Sequence, residues 1–187
     1  MRAEYENVLD DHLGQIHFTY VNTWDELLPA HWHEHLEIIY VLGGEITASI
    51  NDVSYELKKG DIFLVNSNDI HYTHTHEDAR YYLLQIPPVH LERISAKWEG
   101  LKFQEFIRSK SADACVQGEQ LENVQGKGLV EMRENRKSTN RADDLYDQLR
   151  DVFRKIAGFY EEKKEGYHLL VLSAVYRLLY FLYTEGI

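Results

Sequence analysis

The chain has 187 residues, enough for one domain with a substantial core or one domain carrying a helical appendage. Asp and Glu number 31 against 20 Lys and Arg, and the formal charge of -11 would repel phosphate backbones, which argues against this segment itself gripping DNA or RNA. A single cysteine, Cys115, excludes an intramolecular disulfide and a multi-cysteine zinc knuckle; residues 1–10 lack the apolar core of a secretory signal, so a cytoplasmic setting is expected.

In chain order, Ile16, Phe18 and Tyr20 alternate as on a half-buried strand over residues 15–21. Trp24, Leu27, Leu28 and Pro29 read as a turn region. His31, His33, His35 and Glu37 then recur at every second residue, so an extended strand projects four ligand-capable groups the same way. Nearly every position from Leu36 to Leu42 is apolar, as on a strand covered on both faces. Gly43-Gly44 supplies a tight turn, and Asn51-Asp52 suits a two-residue hairpin between strands 45–50 and 53–57. Further strands are expected at 62–65, 70–76 and 81–86, the last stopped by Pro87-Pro88, with one more at 102–107. Such even spacing points to an antiparallel sandwich or small barrel.

Residues 109–140 are polar and show no assignable period. Beyond them Leu145, Leu149, Val152, Ile156 and Phe159 draw one apolar stripe down a helix, with Thr139 or Asn140 as its cap and Gly166 closing it. Tyr167 to Glu185 forms a second helix that is apolar around most of its circumference. It is too short to span a membrane and holds Arg177. A second copy of the chain is the expected cover for what the first helix leaves open, through Leu169, Leu172, Val175, Tyr176, Leu179 and Leu182; packing against the sheet of the same chain is the other reading.

These residues carry a resemblance. His31-x-His33, three residues, Glu37, six residues and Gly44 resemble the first cupin motif, and Gly60 with His71 eleven positions on resembles the second. Trp32-His33-Glu34, the run Leu36 to Glu45, Leu57 to Asn66 and the ending from Glu165 to Tyr183 resemble the N-terminal domain of AraC/XylS transcriptional regulators. The resemblance implies a mainly β fold: a cupin-like double-stranded β-helix, or jelly-roll barrel, over 1–108, a connecting segment at 109–141 and an antiparallel helical hairpin at 142–187 that pairs two subunits. It also implies a small-molecule effector, such as a carbohydrate, and DNA contact only through a C-terminal helix-turn-helix part not present in this chain.

On the same resemblance His31, His33, Glu37 and His71 are the candidate ligands of a divalent transition metal (Zn, Ni, Fe or Mn), although Asn66 and Asn68 stand where cupin enzymes carry proline and glycine. The other reading makes these residues polar pocket lining, with Trp32 and Tyr82 as rings that stack on the effector. Glu37, flanked by Leu36 and Ile38, needs a cation, donors or a ligand if buried; pairing with a nearby His or Arg80 would serve the fold alone. A metal-dependent cupin enzyme of the sugar isomerase or dioxygenase type is the alternative function. No nucleophile elbow, phosphate loop or dinucleotide fingerprint is present in the sequence, so no catalytic residue is assigned.

Overall fold

A computed structural model describes residues 3–8, 16–76, 78–95, 98–108 and 131–185, with 131–143 and Glu99 described in backbone alone. Cys115 and residues 109–130 lie outside the described residues. Ten strands precede two long helices: β1 (Glu4–Tyr5), β2 (His17–Thr23), β3 (Leu27–Trp32), β4 (Leu36–Gly43), β5 (Glu45–Ile50), β6 (Val53–Lys58), β7 (Ile62–Val65), β8 (His71–Thr75), β9 (Ala79–Ile86) and β10 (Phe106–Ile107). A single-turn helix α1 (Pro88–Leu91) follows β9, and α2 (Glu131–Glu162) and α3 (Tyr167–Glu185) close the chain.

The strands form two five-stranded sheets, ordered β1-β3-β8-β5-β6 and β10-β7-β4-β9-β2. Ile46, Ala48, Ile50 and Leu57 of the first sheet share a core with Ile39, Val41, Phe63, Val65 and Tyr81 of the second. The two sheets therefore face each other as a double-stranded β-helix. Hairpin β5–β6 turns on Asn51 and Asp52, both at positive φ (47° and 70°), as a mirror-image turn demands. Gly44 (φ 73°) is required for space as well: a Cβ there would meet Asp78 O at 2.6 Å.

Strand β4 is covered on both faces, as its unbroken apolar run predicts. Ile39 and Val41 point into the barrel, while Leu36, Ile38 and Tyr40 join Leu84 and Ile86 on the outer face, where the helices pack. From α2 come Leu145, Leu149, Val152, Phe153 and Ile156; from α3 come Val171, Val175, Leu178, Leu179 and Leu182. Barrel and hairpin thus share one core.

Four expectations change. Leu27, Leu28 and Pro29, read as part of a turn region, open β3; Pro29 sits where the register with β8 shifts between Leu28 and His31, a position at which a missing N–H does no harm. Only Phe106–Ile107 of the expected strand 102–107 pairs, with β7. Helix α2 begins at Glu131 rather than near Ala142, because the charged run before Thr139 is made of good helix formers. Gly166 does adopt φ 78°, but it precedes α3; α2 closes on Lys163 (φ 43°), whose N–H donates to Phe159 O at 3.1 Å.

The interface expectation is corrected in part. Val175, Leu179 and Leu182 are 0% exposed within the single chain, so no partner can reach them. They lie in the core that α3 shares with α2 and the outer face of the sheet. The open arc of α3 instead carries Leu169, Ser173, Tyr176, Tyr180 and Tyr183, spaced four, three, four and three residues apart, with Leu169 at 62% and Tyr180 at 61% exposure. Exchanging Leu179 for Asp is accordingly expected to cost about 4 kcal/mol or more and collapse the thermal transition, whereas Tyr180→Glu leaves it within a few degrees. Circular dichroism melts of the two variants check this.

Candidate metal centre

The histidine-rich stretch is not one strand. His31 lies one residue before the end of β3 in one sheet, Glu37 is the second residue of β4 in the other, and His33 lies on the link between them. The bend still brings His31, His33 and His71 together at one end of the barrel, with one ligand nitrogen from each within 4.8 Å of the others. His33, His71 and Glu37 are buried, and His31 partly so. Period two left His33 and His35 equivalent; the bend separates them, sending His33 into the cluster and leaving His35 outside it.

Backbone carbonyls set the ring orientations. Nδ1–H of His31 donates to Pro29 O (2.8 Å), that of His33 to His35 O (3.2 Å) and that of His71 to Asp69 O (3.0 Å). With each Nδ1 committed, all three Nε2 atoms are left to converge. The loop that aims His71 uses its two asparagines for this. Asn66 is buried and holds the Phe103 backbone from both sides, donating to its O (3.2 Å) and accepting from its N–H (2.8 Å). Asn68 takes the positive φ (66°) a glycine would otherwise provide and donates its N–H to His33 O at 2.9 Å.

Glu37 is enclosed and answered by donors. Its Oε2 accepts from His33 Nε2 (3.1 Å) and Gln85 Nε2 (2.9 Å), while Oε1 lies 3.9 Å from His71 Nε2. Burial opposes its charge, yet the His33 hydrogen bond and the His71 and His33 charges hold its pKa down at about 2. For His33, burial pulls downward, but the Glu37 hydrogen bond and the Glu37 and Glu6 charges outweigh it and raise the pKa. Burial lowers the pKa of His71, and its Nε2 is buried without a hydrogen-bond partner among the described residues. Arg80 is not the counter-charge; it pairs with Asp78 at 3.6 Å.

Such a donor set fits a divalent transition metal. Nitrogen ligands about 2.1 Å from one ion stand roughly 3 to 4 Å apart, so modest side-chain rotation closes the group, and the bare Nε2 of His71 supplies the lone pair that a metal needs. His31, His33, His71 and Glu37 would hold it. Beside them lies a cavity of about 40 Å³ bordered by Glu6, Thr73, Tyr81 and Gln85. That volume takes an ion and a water or two; a drug-sized or sugar ligand occupies a site of about 300 Å³ or more.

Two residues of this centre escaped the sequence. Gln85 faces Glu37 in register across β4 and β9, and its signal was a lone amide in an apolar strand. Glu6 comes from the N-terminal segment, where β1 pairs parallel with β3, and its Oε2 reaches to 3.6 Å from His31 Nε2 and 3.8 Å from His33 Nε2. No sequence feature marks it. Two expected residues are elsewhere. Trp32, one residue on from His31 along β3, packs edge-on against Tyr5 at 4.9 Å, and Tyr82 lies on the outer face of its sheet, beside Phe18. His74 and His76 stay on the far face of β8 as ordinary polar partners of Asp25 and Thr47.

Compared with known proteins, residues 14–179 match the AraC-like ligand binding domain family. Over 63 residues the chain is 30% identical to the uncharacterized HTH-type transcriptional regulator YdeC of Bacillus subtilis (strain 168), a match spanning 33% of this chain and 22% of YdeC. Similar solved structures include an RmlC-like cupin from Shewanella frigidimarina, at 20% identity and TM-score 0.37 over 38% of this chain and 66% of that one. The KdgF structure from a Halomonas species aligns at 23% identity and TM-score 0.37, over 38% and 68% of the two chains.

The centre predicts a pH profile for the metal-free protein. Glu37, lowered from 4.5 to about 2, contributes stability that is present above pH 4.5 and lost as pH falls toward 2. His33, raised above 6.5, contributes stability that is full below 6.5 and lost as pH rises through its folded value. His71, lowered by burial, works the other way and loses stability as pH falls below 6.5, so the resolved limb is the acid one. Denaturant unfolding should become easier as pH falls from about 4.5 toward 2, and Glu37→Gln should flatten that limb while lowering stability at pH 6 by about 2 to 4 kcal/mol.

Proposed function

The chain belongs to the AraC-like ligand binding domain family, and from that premise we propose that it is the sensing and dimerising part of a cytoplasmic AraC-type transcriptional regulator, with a divalent transition metal held in its barrel. Convergence of three Nε2 atoms beside a buried carboxylate is the observation that carries this reading. When bound, the ion would supply fixed positive charge that neutralises Glu37 and ties β3, β4 and β8 together. DNA contact belongs to another part of such a regulator, in keeping with the charge of -11 here. Among the described residues no helix is long and apolar enough to cross a membrane.

A carbohydrate inside the barrel has too little room at about 40 Å³. The same volume, with Glu6 lying over two of the histidines, weighs against a metal-dependent cupin enzyme, whose ion needs an open position and space for substrate. Pairing of two subunits falls to the open arc of α3, where Leu169, Tyr176, Tyr180 and Tyr183 line up as one stripe with Leu172 at its margin.

Purified protein dialysed against buffer is expected to retain about one transition-metal ion per chain by elemental analysis, and His71→Ala to weaken that binding at least about tenfold. Absence of metal from the unaltered chain after loading with Zn, Ni, Fe or Mn would sink the reading. Separately, Leu169→Glu with Tyr180→Glu should shift a sedimentation profile from dimer to monomer without loss of helix.

A further inference from the structure

A larger space lies outside the barrel. Period-two alternation places Phe18 and Tyr20 of the edge strand β2 on the outer face of its sheet, next to Tyr82 of β9, and Tyr20 and Tyr82 pair across the strands. The last turn of α2 crosses this corner and adds Ala157, Tyr160 and Glu161, with Lys163 just past the helix end. Between strands and helix is a groove of about 470 Å³, more than ten times the barrel cavity and within the range of small-molecule sites.

Its walls are aromatic. Phe18 stacks on Tyr82 at 5.3 Å and meets Tyr160 at 4.9 Å, while Tyr20 stands edge-on to Tyr82 at 5.9 Å. Tyr20 is 52% exposed, so ring surface remains open to a guest. The rim is net negative: the Glu161 carboxylate and the carbonyl end of α2, worth about half a charge, outweigh Lys163. Glu161 lines the same groove as the rings, and burial together with its charge raises the pKa of Tyr82. Ring faces and a carboxylate in one groove recognise positive charge on a flat body.

We propose that this groove is a second ligand site and takes a small aromatic cation, the chemical class of an organic effector for this domain. The assignment rests on the chain being an effector-binding domain. A guest there touches β2, β9 and α2 at once, and so spans the seam between barrel and helical hairpin.

Tryptamine and tryptophol share an indole and differ in carrying an ammonium or a hydroxyl. Titrated into the isotope-labelled chain, tryptamine is expected to give saturable amide shifts at residues 18–20, 82 and 157–163. Tyr82→Ala and, as a half-exposed alternative that spares the core, Tyr20→Ala should each weaken it about tenfold. Glu161→Gln should weaken tryptamine about fivefold and leave tryptophol within about twofold. No saturable shift, or binding indifferent to both tyrosine variants, would overturn the groove assignment. A compound whose thermal stabilisation is lost in His71→Ala but kept in Tyr82→Ala would also overturn it, while leaving the effector-binding reading standing.

Discussion

A carboxylate enclosed by a β barrel has to be answered, and the answer given to Glu37 organises one end of this molecule. Left unpaired, a buried charge costs several kcal/mol. Here one oxygen takes hydrogen bonds from His33 and Gln85, and the other turns toward His71. The two donors come from the link after β3 and from β9, and His71 faces the carboxylate from β8, so answering a single side chain draws on elements of both sheets. The bookkeeping of charge around it is lopsided: Glu6 adds a second carboxylate, while burial pulls the His71 pKa down. Three imidazoles and two acids with so little positive charge among them form a cluster that a divalent cation would complete.

The second constraint is that the wall carrying Glu37 has two working faces. Because β4, β7 and β9 are apolar on the side away from the barrel, helices must cover them, and the buried arc of α3 is spent there. Removing the helical hairpin from the sheet would bare Ile38, Leu64, Leu84 and Ile86 at once. A helix so committed has only its opposite arc to offer to another molecule. That arc is rich in tyrosine, whose ring and hydroxyl tolerate water in the isolated chain and exclude it when paired.

Much of this was legible in the residues. Strand β7 and hairpin β5–β6 sat where alternation and the Asn51-Asp52 turn put them, and the double coverage of β4 followed from its lack of polar positions. The four metal-candidate side chains were found by motif spacing, although the reason given for their convergence, one straight strand, was not the physical one. They converge because the chain bends at residues 33–35 and changes sheets. What stayed hidden depended on tertiary context. Pro29 looked like a turn because a strand tolerates proline only at an irregularity that sequence does not announce. Glu6 is one acid among several until β1 pairs with β3. An all-round apolar helix announces burial without saying whether its own chain or a second subunit supplies it, and for Val175, Leu179 and Leu182 its own chain did.

Strand β9 is where the separate parts meet. Its inward residues Tyr81 and Gln85 border the cavity beside the histidine cluster, and burial together with the Glu37 charge pushes the Tyr81 pKa up to about 12. Its outward residue Tyr82 forms a wall of the aromatic groove. Just past its end, Pro87-Pro88 leads into α1, where His90 Nδ1 shares a hydrogen bond with the Tyr176 hydroxyl at 2.9 Å and Arg93 Nη1 donates to the same oxygen at 3.0 Å. Tyr176 borders the open arc of α3. A strand hydrogen-bonded on both sides, to β4 and β2, cannot flex independently at each of these points. A ligand on either face of β9 would therefore press on a strand whose far end is joined to the Tyr176 hydroxyl through His90 and Arg93.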